Sequence, residues 1–310
     1  MPYRLLLILP LLLSPFQSTA ASNITYTARD SIKITKVLTD ACDVRPSNPI
    51  VHFARKFLGC PFVEKTLERN PVEHLVVNCH AFDCTTYVET VLAMSLCLER
   101  GETTLSAFLS ALRSVRYYRD HISYATRKHY FSSWILDNTR QGFVREVDLD
   151  SAMAESSALI ARKTLSLNYM SAHRSQYPMM ARERGSVYSI REVERQLTGL
   201  TTAYIPKSAL RNTPQNNIYL KRCIHDGDII AIVTSISGLD VSHLGIAVWH
   251  GETLHLINAS QVHMKVVEEP MTLFDYMQRH SKQMGIRIIR IQKQNIQRFH
   301  NPCPHTIVLF

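Results

Sequence analysis

The chain has 310 residues, 45% of them hydrophobic and 20% charged, which is a globular balance and not that of a disordered polymer. Its formal charge of +9 is scattered, as in "SALRSVRYYRD" and "MMARERG", with no long Lys/Arg run of the kind that grips nucleic acid. Its ten glycines form no GxGxxG motif and no phosphate-cradling loop, which excludes nucleotide binding by those devices.

At the N-terminus, Arg4 precedes the apolar run "LLLILPLLL", which is broken by Pro10 and followed by the small residues "STAAS". This pattern predicts a signal peptide over residues 1–21, cut near Ala20 or Ala21, and an exported, periplasmic protein. The run is too short and too interrupted to span a bilayer, so no stable membrane insertion is expected after cleavage. Residues 22–48 are polar and read as an N-terminal arm. "IVHFARKFLG" reads as a short helix stopped at Gly59, "HLVVNC" as a short extended piece, and "FDC" as the opening of the next helix.

Residues 102–200 read as mostly helical, from "TTLSAFLSALRSVRYY" through "DSAMAESSALIARKTL" to "SIREVERQL". After 202 come "DGDIIAIVTS", "VSHLGIAVWHG", "ETLHLINAS", "HMKVVEE" and "GIRIIRIQ", short Ile/Val-rich pieces separated by turn signals, which read as antiparallel strands. The expected architecture is therefore α+β, one domain over 49–310 with a helical insertion around 102–200. There are seven cysteines, at 42, 60, 79, 84, 97, 223 and 303; an even number can pair in an oxidising compartment, which leaves at least one thiol spare, and the sequence does not give the pairing.

Cys84 is the candidate for that thiol. Asp83 is a good N-cap, and Val88, Val91, Leu92 and Ser95 give the helix a face to bury. A cysteine in a first turn sits among unpaired N–H groups, a placement that favours the thiolate and offers donors to an oxyanion. In "VSHLGIAVWHG" alternation puts His243, Gly245, Ala247 and Trp249 on one face, leaving room beside the histidine for a helix end. In "ETLHLINAS", Asn258 and Ser260 share a face with Leu254 and Leu256. Asn258 can fix one ring nitrogen of His243 while the other accepts a proton, a Cys–His–Asn arrangement. "CHAFDC" also offers Cys79, His80 and Cys84 to a metal, but no CxxC pair or HExxH accompanies them, and neither metal nor cofactor is expected.

"FDCTTYVETVLA", "SYATRKHYFSSWI", "DGDIIAIV", "GLDVSHLGIAV" and "LINAS", in this order, resemble the N-acetylmuramoyl-L-alanine amidase-like branch of the NlpC-type papain-like cell-wall hydrolases. The resemblance runs from about residue 50 to 292. It implies a papain-like fold with a catalytic cysteine at a helix N-terminus packed on a mainly antiparallel sheet. It carries the nucleophile to Cys84, the base to His243 and the orienting role to Asn258, where the wider superfamily often has histidine. Ser260 is a further catalytic support. Phe62 stands where relatives commonly have a tyrosine. Thr66 and Glu68 match a loop motif of the branch and are implied to help shape the substrate cleft, and the aromatic-rich stretch at 124–134 suggests a substrate wall, with Tyr124 and Arg127 as its candidates. The implied activity cleaves the amide between N-acetylmuramic acid and L-alanine in peptidoglycan fragments. A stem-peptide endopeptidase, a non-catalytic wall-binding module and a secreted protease are the alternatives at this stage.

Overall fold

The computed structural model describes residues 23–183 and 185–292; the expected signal peptide and Cys303 lie outside them. The front of the chain forms β1 (Ile24–Thr25), α1 (Ala28–Val44), α2 (Pro49–Arg55), β2 (Leu75–Val76), α3 (Cys84–Glu99), α4 (Leu105–Arg116) and α5 (Phe131–Arg140). A segment of short elements follows: β3 (Val144–Glu146), α6 (Leu149–Ala152), β4 (Ala161–Thr164), α7 (Tyr169–Ala172), α8 (Pro178–Arg182) and α9 (Ser186–Leu197). The back holds β5 (Thr201–Pro206), α10 (Pro214–Cys223), β6 (Ile229–Thr234), β7 (Val241–His250), β8 (Thr253–Ser260), β9 (Lys265–Glu268), α11 (Leu273–Gln278) and β10 (Gln283–Ile291).

Most of the back strands form one sheet in the order β4-β5-β10-β6-β7-β8-β9, with β3 also on β10, and every pairing in it is antiparallel. It is covered on both faces, which is why β6 ("IIAIVT") is buried at each residue. Ile229 and Ala231 join Leu244, Ile246 and Val248 against the α1–α5 layer. Ile230 and Ile232 join Ala247, Leu254 and Leu256 against residues of α10 and α11. A third cluster, with Tyr124, Tyr130, Leu165, Met170 and Ile190, fills the 124–197 region.

Three sequence expectations change. The N-terminal arm is largely the helix α1, capped reciprocally by Thr27 and Asp30, with Ile34, Val37, Leu38 and Ala41 buried at helical spacing. Its polar composition hid that stripe. "DSAMAESSALIARKTL" is not one helix: α6 ends at Ala152, and Ala161–Thr164 turn extended because Lys163 and its neighbours pair with Thr201–Tyr204. Finally, α3 is buried all round from Thr86 to Cys97, not on one face. Its buried acidic residue, Glu89, is held in that setting by Arg116, whose Nε donates to Oε2 at 2.7 Å.

Cys60, Cys79, Cys84, Cys97 and Cys223 are free thiols, and Cys42 is disulfide-bonded. Among the described residues no helix is long and apolar enough to cross a membrane.

Candidate active site

Cys84 is the first residue of α3, and the turn before it is built by its neighbours. The Asp83 carboxylate accepts from the Thr86 N–H at 2.8 Å, and the Thr86 hydroxyl accepts from the Asp83 N–H at 3.1 Å. Tyr87 N–H already bonds to the Asp83 carbonyl. The first-turn donors left over are therefore those of Cys84 and Thr85. The chain enters this turn held from behind, since Val63 N–H bonds to the Phe82 carbonyl and Phe82 N–H to the Pro61 carbonyl. Phe62, at the position where a tyrosine was expected, is buried in that pairing.

α3 packs against β7 and β8, which brings its start to the beginning of β7. The Leu244 N–H reaches the Cys84 sulfur, and the Thr85 hydroxyl and the residue's own N–H act on the sulfur in the same sense. The place of Cys84 at a helix start predicts a lowered thiol pKa. Burial outweighs these donors, with the Asp83 charge adding to it, and the Cys84 thiol is pushed up to about 12. The anion-favouring slot of the helix start is filled by the Asp83 carboxylate itself.

His243, next in the chain to Leu244, is half-buried and points to the face that carries Asn258. Its Nε2 meets Asn258 Oδ1 at 3.0 Å, and Asn258 is fully buried. An amide oxygen only accepts, so Nε2 carries the hydrogen and Nδ1 keeps its lone pair. Burial, above all, lowers the His243 pKa below the usual range, and the Asn258 bond only partly offsets it. The resting site thus holds a neutral thiol and a neutral imidazole. Tyr276 of α11 stands beside both: its ring lies 6.2 Å from that of His243, and the charge of a Cys84 thiolate would reach its hydroxyl.

The space beside His243 is not left for a helix end, as its glycine suggested. A Cβ on Gly245 would come within 2.5 Å of Leu256 Cγ, so the glycine admits the Leu256 side chain from β8. Ser260, on the same face as Asn258, accepts from the His263 N–H at 3.3 Å and so closes the β8–β9 turn.

Of the four substrate-binding candidates, Glu68, Tyr124 and Arg127 meet in one cluster, and Thr66 is buried in the same short turn as Glu68. Arg127 reaches Glu68 through Nη2 and Glu73 through Nη1, the latter at 3.3 Å, and its guanidinium lies over the Tyr124 ring. Tyr124 is fully buried, and Thr66 and Arg127 nearly so. They brace the loop at 66–73 from inside; Glu68 alone of the four keeps a partly exposed side chain. Among the described residues no group of three His, Cys, Asp or Glu side chains is arranged as a metal would need.

A residue missed by sequence reasoning completes the row behind His243. Glu269, just past β9, accepts from Asn258 Nδ2 at 3.1 Å. Its signal was the β8–β9 hairpin register, which pairs Asn258 with Val267 and so puts "EEP" beside the strand end. Composition does not show this.

Residues 52–286 match the family model described as AmiA-like, N-acetylmuramoyl-L-alanine amidase-like. The chain belongs to that family. Its likeness extends to solved structures. A crystal structure of an N-acetylmuramoyl-L-alanine amidase from Bacteroides uniformis is 36% identical with a TM-score of 0.69, covering 78% of this chain and 98% of that one. A putative xylanase from Bacteroides fragilis is 34% identical with a TM-score of 0.66, over 77% of this chain and 98% of the other. A Legionella pneumophila protein, 22% identical with a TM-score of 0.62 over 86% and 97%, shares the fold. No curated protein sequence matches the chain. This family of amidase type is related to peptidoglycan hydrolysis, so the row at Cys84 is read below as its reaction centre.

Proposed function

We propose that this protein is an exported, periplasmic cysteine amidase that splits the bond between the lactyl carbonyl of N-acetylmuramic acid and the L-alanine nitrogen of peptidoglycan fragments. The observation that carries it is that the Cys84 thiol opens α3 with its sulfur met by the N–H of Leu244, and that His243, next in the chain to Leu244, has its Nε2 held by Asn258 at 3.0 Å.

Because thiol and imidazole are both neutral at rest, His243 Nδ1 removes the Cys84 proton as the sulfur attacks the carbonyl carbon. The C–O double bond opens to an oxyanion, for which the N–H groups of Cys84 and Thr85 are the donors left at the helix start. The imidazolium then protonates the departing alanine nitrogen and the C–N bond breaks, leaving a thioester on Cys84. Water, deprotonated by the same Nδ1, attacks the thioester; the acid leaves and the thiol regains its proton. Asn258 keeps Nδ1 the basic nitrogen throughout.

The test incubates the mature protein and Cys84→Ala with a disaccharide anhydro-muramyl tetrapeptide and reads products by mass. Free disaccharide and intact tetrapeptide from wild type alone are expected. Cleavage inside the peptide would keep the machinery and replace the bond. Equal product from Cys84→Ala would remove the cysteine mechanism.

A further inference from the structure

Asn258 can orient His243 only if something orients Asn258. A side-chain amide has two ends of similar size, and turned by half a rotation it would offer His243 an N–H donor in place of Oδ1. Nε2 would then have to be the bare nitrogen, the hydrogen would move to Nδ1, and no base would face Cys84. The main candidate for resolving this choice is the group on the far side of the amide.

Glu269 is that group. It is 1% exposed, and its Oε1 accepts from Asn258 Nδ2 at 3.1 Å. A carboxylate has no hydrogen to give, so it can meet only the NH2 end, and Oδ1 is left facing His243. Glu269 is itself pinned. Its Oε2 meets His263 Nε2 at 3.1 Å, its backbone N–H bonds to the Leu256 carbonyl at 2.8 Å, and its carbonyl meets His255 Nδ1 at 2.9 Å. Hydrogen bonds thus run from His263 through Glu269 and Asn258 to His243, crossing from the β8–β9 turn to β7.

We propose that Glu269 is a positioning residue for this site, fixing the Asn258 amide so that His243 keeps its hydrogen on Nε2 and its lone pair on Nδ1. The proposal rests on the Cys84–His243 reading above. It does not depend on which bond is cut.

The decisive readout is the His243 tautomer, observed in ¹⁵N-labelled full-length protein by long-range proton–nitrogen correlation, with His243→Gln assigning the signals. Wild type is expected to show the Nε2–H form. Glu269→Ala, or Glu269→Met if the alanine variant does not fold, is expected to show a large share of Nδ1–H. Glu269→Gln, which can still present an oxygen to Asn258 Nδ2, is expected to restore Nε2–H. Muropeptide turnover should fall about 10- to 100-fold in Glu269→Ala, the usual loss when an orienting partner is removed, and less in Glu269→Gln, with KM little changed. An unaltered tautomer in Glu269→Ala and Glu269→Met overturns the assignment even if turnover drops, because a merely structural loss would do the same. A wild type that turns over no muropeptide, while its variants still change tautomer, removes the amidase reading and supports the role of Glu269.

Discussion

Two buried rows of polar groups cross this protein, and they are built to opposite ends. In one, Arg127 spends its guanidinium on Glu68 and Glu73, Glu73 also accepts from the Tyr117 hydroxyl at 2.6 Å, and Tyr117 reaches the His74 carbonyl. Each strong donor ends on a fixed acceptor. In the other, His263, Glu269, Asn258 and His243 are joined in sequence, and the row ends on the His243 ring, whose neighbour in the chain, Leu244, meets the Cys84 sulfur. A closed row holds a loop in place. An open row leaves one group able to take a proton. Burial acts on both, pushing the Glu73 carboxyl up against the pull of Arg127 and lowering the imidazole of His243, and in the proposed reaction only the second group takes up a proton.

The comparison breaks most sharply at its open end. His243→Ala should lower muropeptide turnover by about 10²- to 10⁴-fold, the range a positioned base supplies. The variant also leaves the buried Asn258 Oδ1 without its donor, which should cost about 1–3 kcal/mol of stability. A variant that retained turnover would place the base elsewhere.

At the closed end the effect should be of the other kind. Arg127→Ala leaves Glu68 and Glu73 without their shared cation, and urea unfolding should show a loss of about 3–5 kcal/mol. Alkylation of Cys84 in the protein that remains folded should match wild type. Full stability with turnover lost would instead move Arg127 to the substrate side.

Beside the open row lies the sheet contact that holds β7 on β8. Gly245→Ala would place a methyl group 2.5 Å from Leu256 Cγ, and overpacking of this kind costs about 1–3 kcal/mol. The accompanying shift of β8 should also disturb Asn258, so part of the turnover should go with the stability. Adding Leu256→Val should return some of both; if it returns neither, the strain is not between these two residues.

How far such features were legible in the sequence depends on the range over which they act. The start of α3 was readable because its signals are local: Asp83 and Cys84 sit side by side. The facing of His243 and Asn258 followed from strand alternation, and the structure keeps it. Glu269 was not readable, since its meeting with Asn258 depends on the length of a hairpin turn and not on the residues flanking either one. The reach of Arg127 to Glu68 and Glu73 likewise joins segments that are distant in the chain. Helical stripes in polar α1, and the strand pairing that breaks up "DSAMAESSALIARKTL", were lost for the same reason: tertiary partners decided them.

The smallest expected effect separates two jobs of one side chain. Asp83 caps α3, and its charge also helps hold the Cys84 thiol up near 12. Asp83→Ala removes both and should cost about 1 kcal/mol of stability. Asp83→Asn keeps an acceptor for the Thr86 N–H and removes only the charge, so its stability at neutral pH should stay near that of wild type. In both variants the thiol's pKa should fall, though burial, the larger cause, still holds it above the ordinary 9. Iodoacetamide at pH 8.5 should therefore label Cys84 faster in both variants than in wild type. The linkage has the matching sign. Folded Cys84 binds its proton more tightly than unfolded Cys84, so its stabilising contribution is complete below pH 9 and is lost as pH rises toward 12. Asp83→Asn should shrink the part of that alkaline loss that disappears in Cys84→Ala. Labelling at the wild-type rate in Asp83→Asn would mean that burial alone sets this thiol, and that the carboxylate at the helix start serves the helix and not the nucleophile.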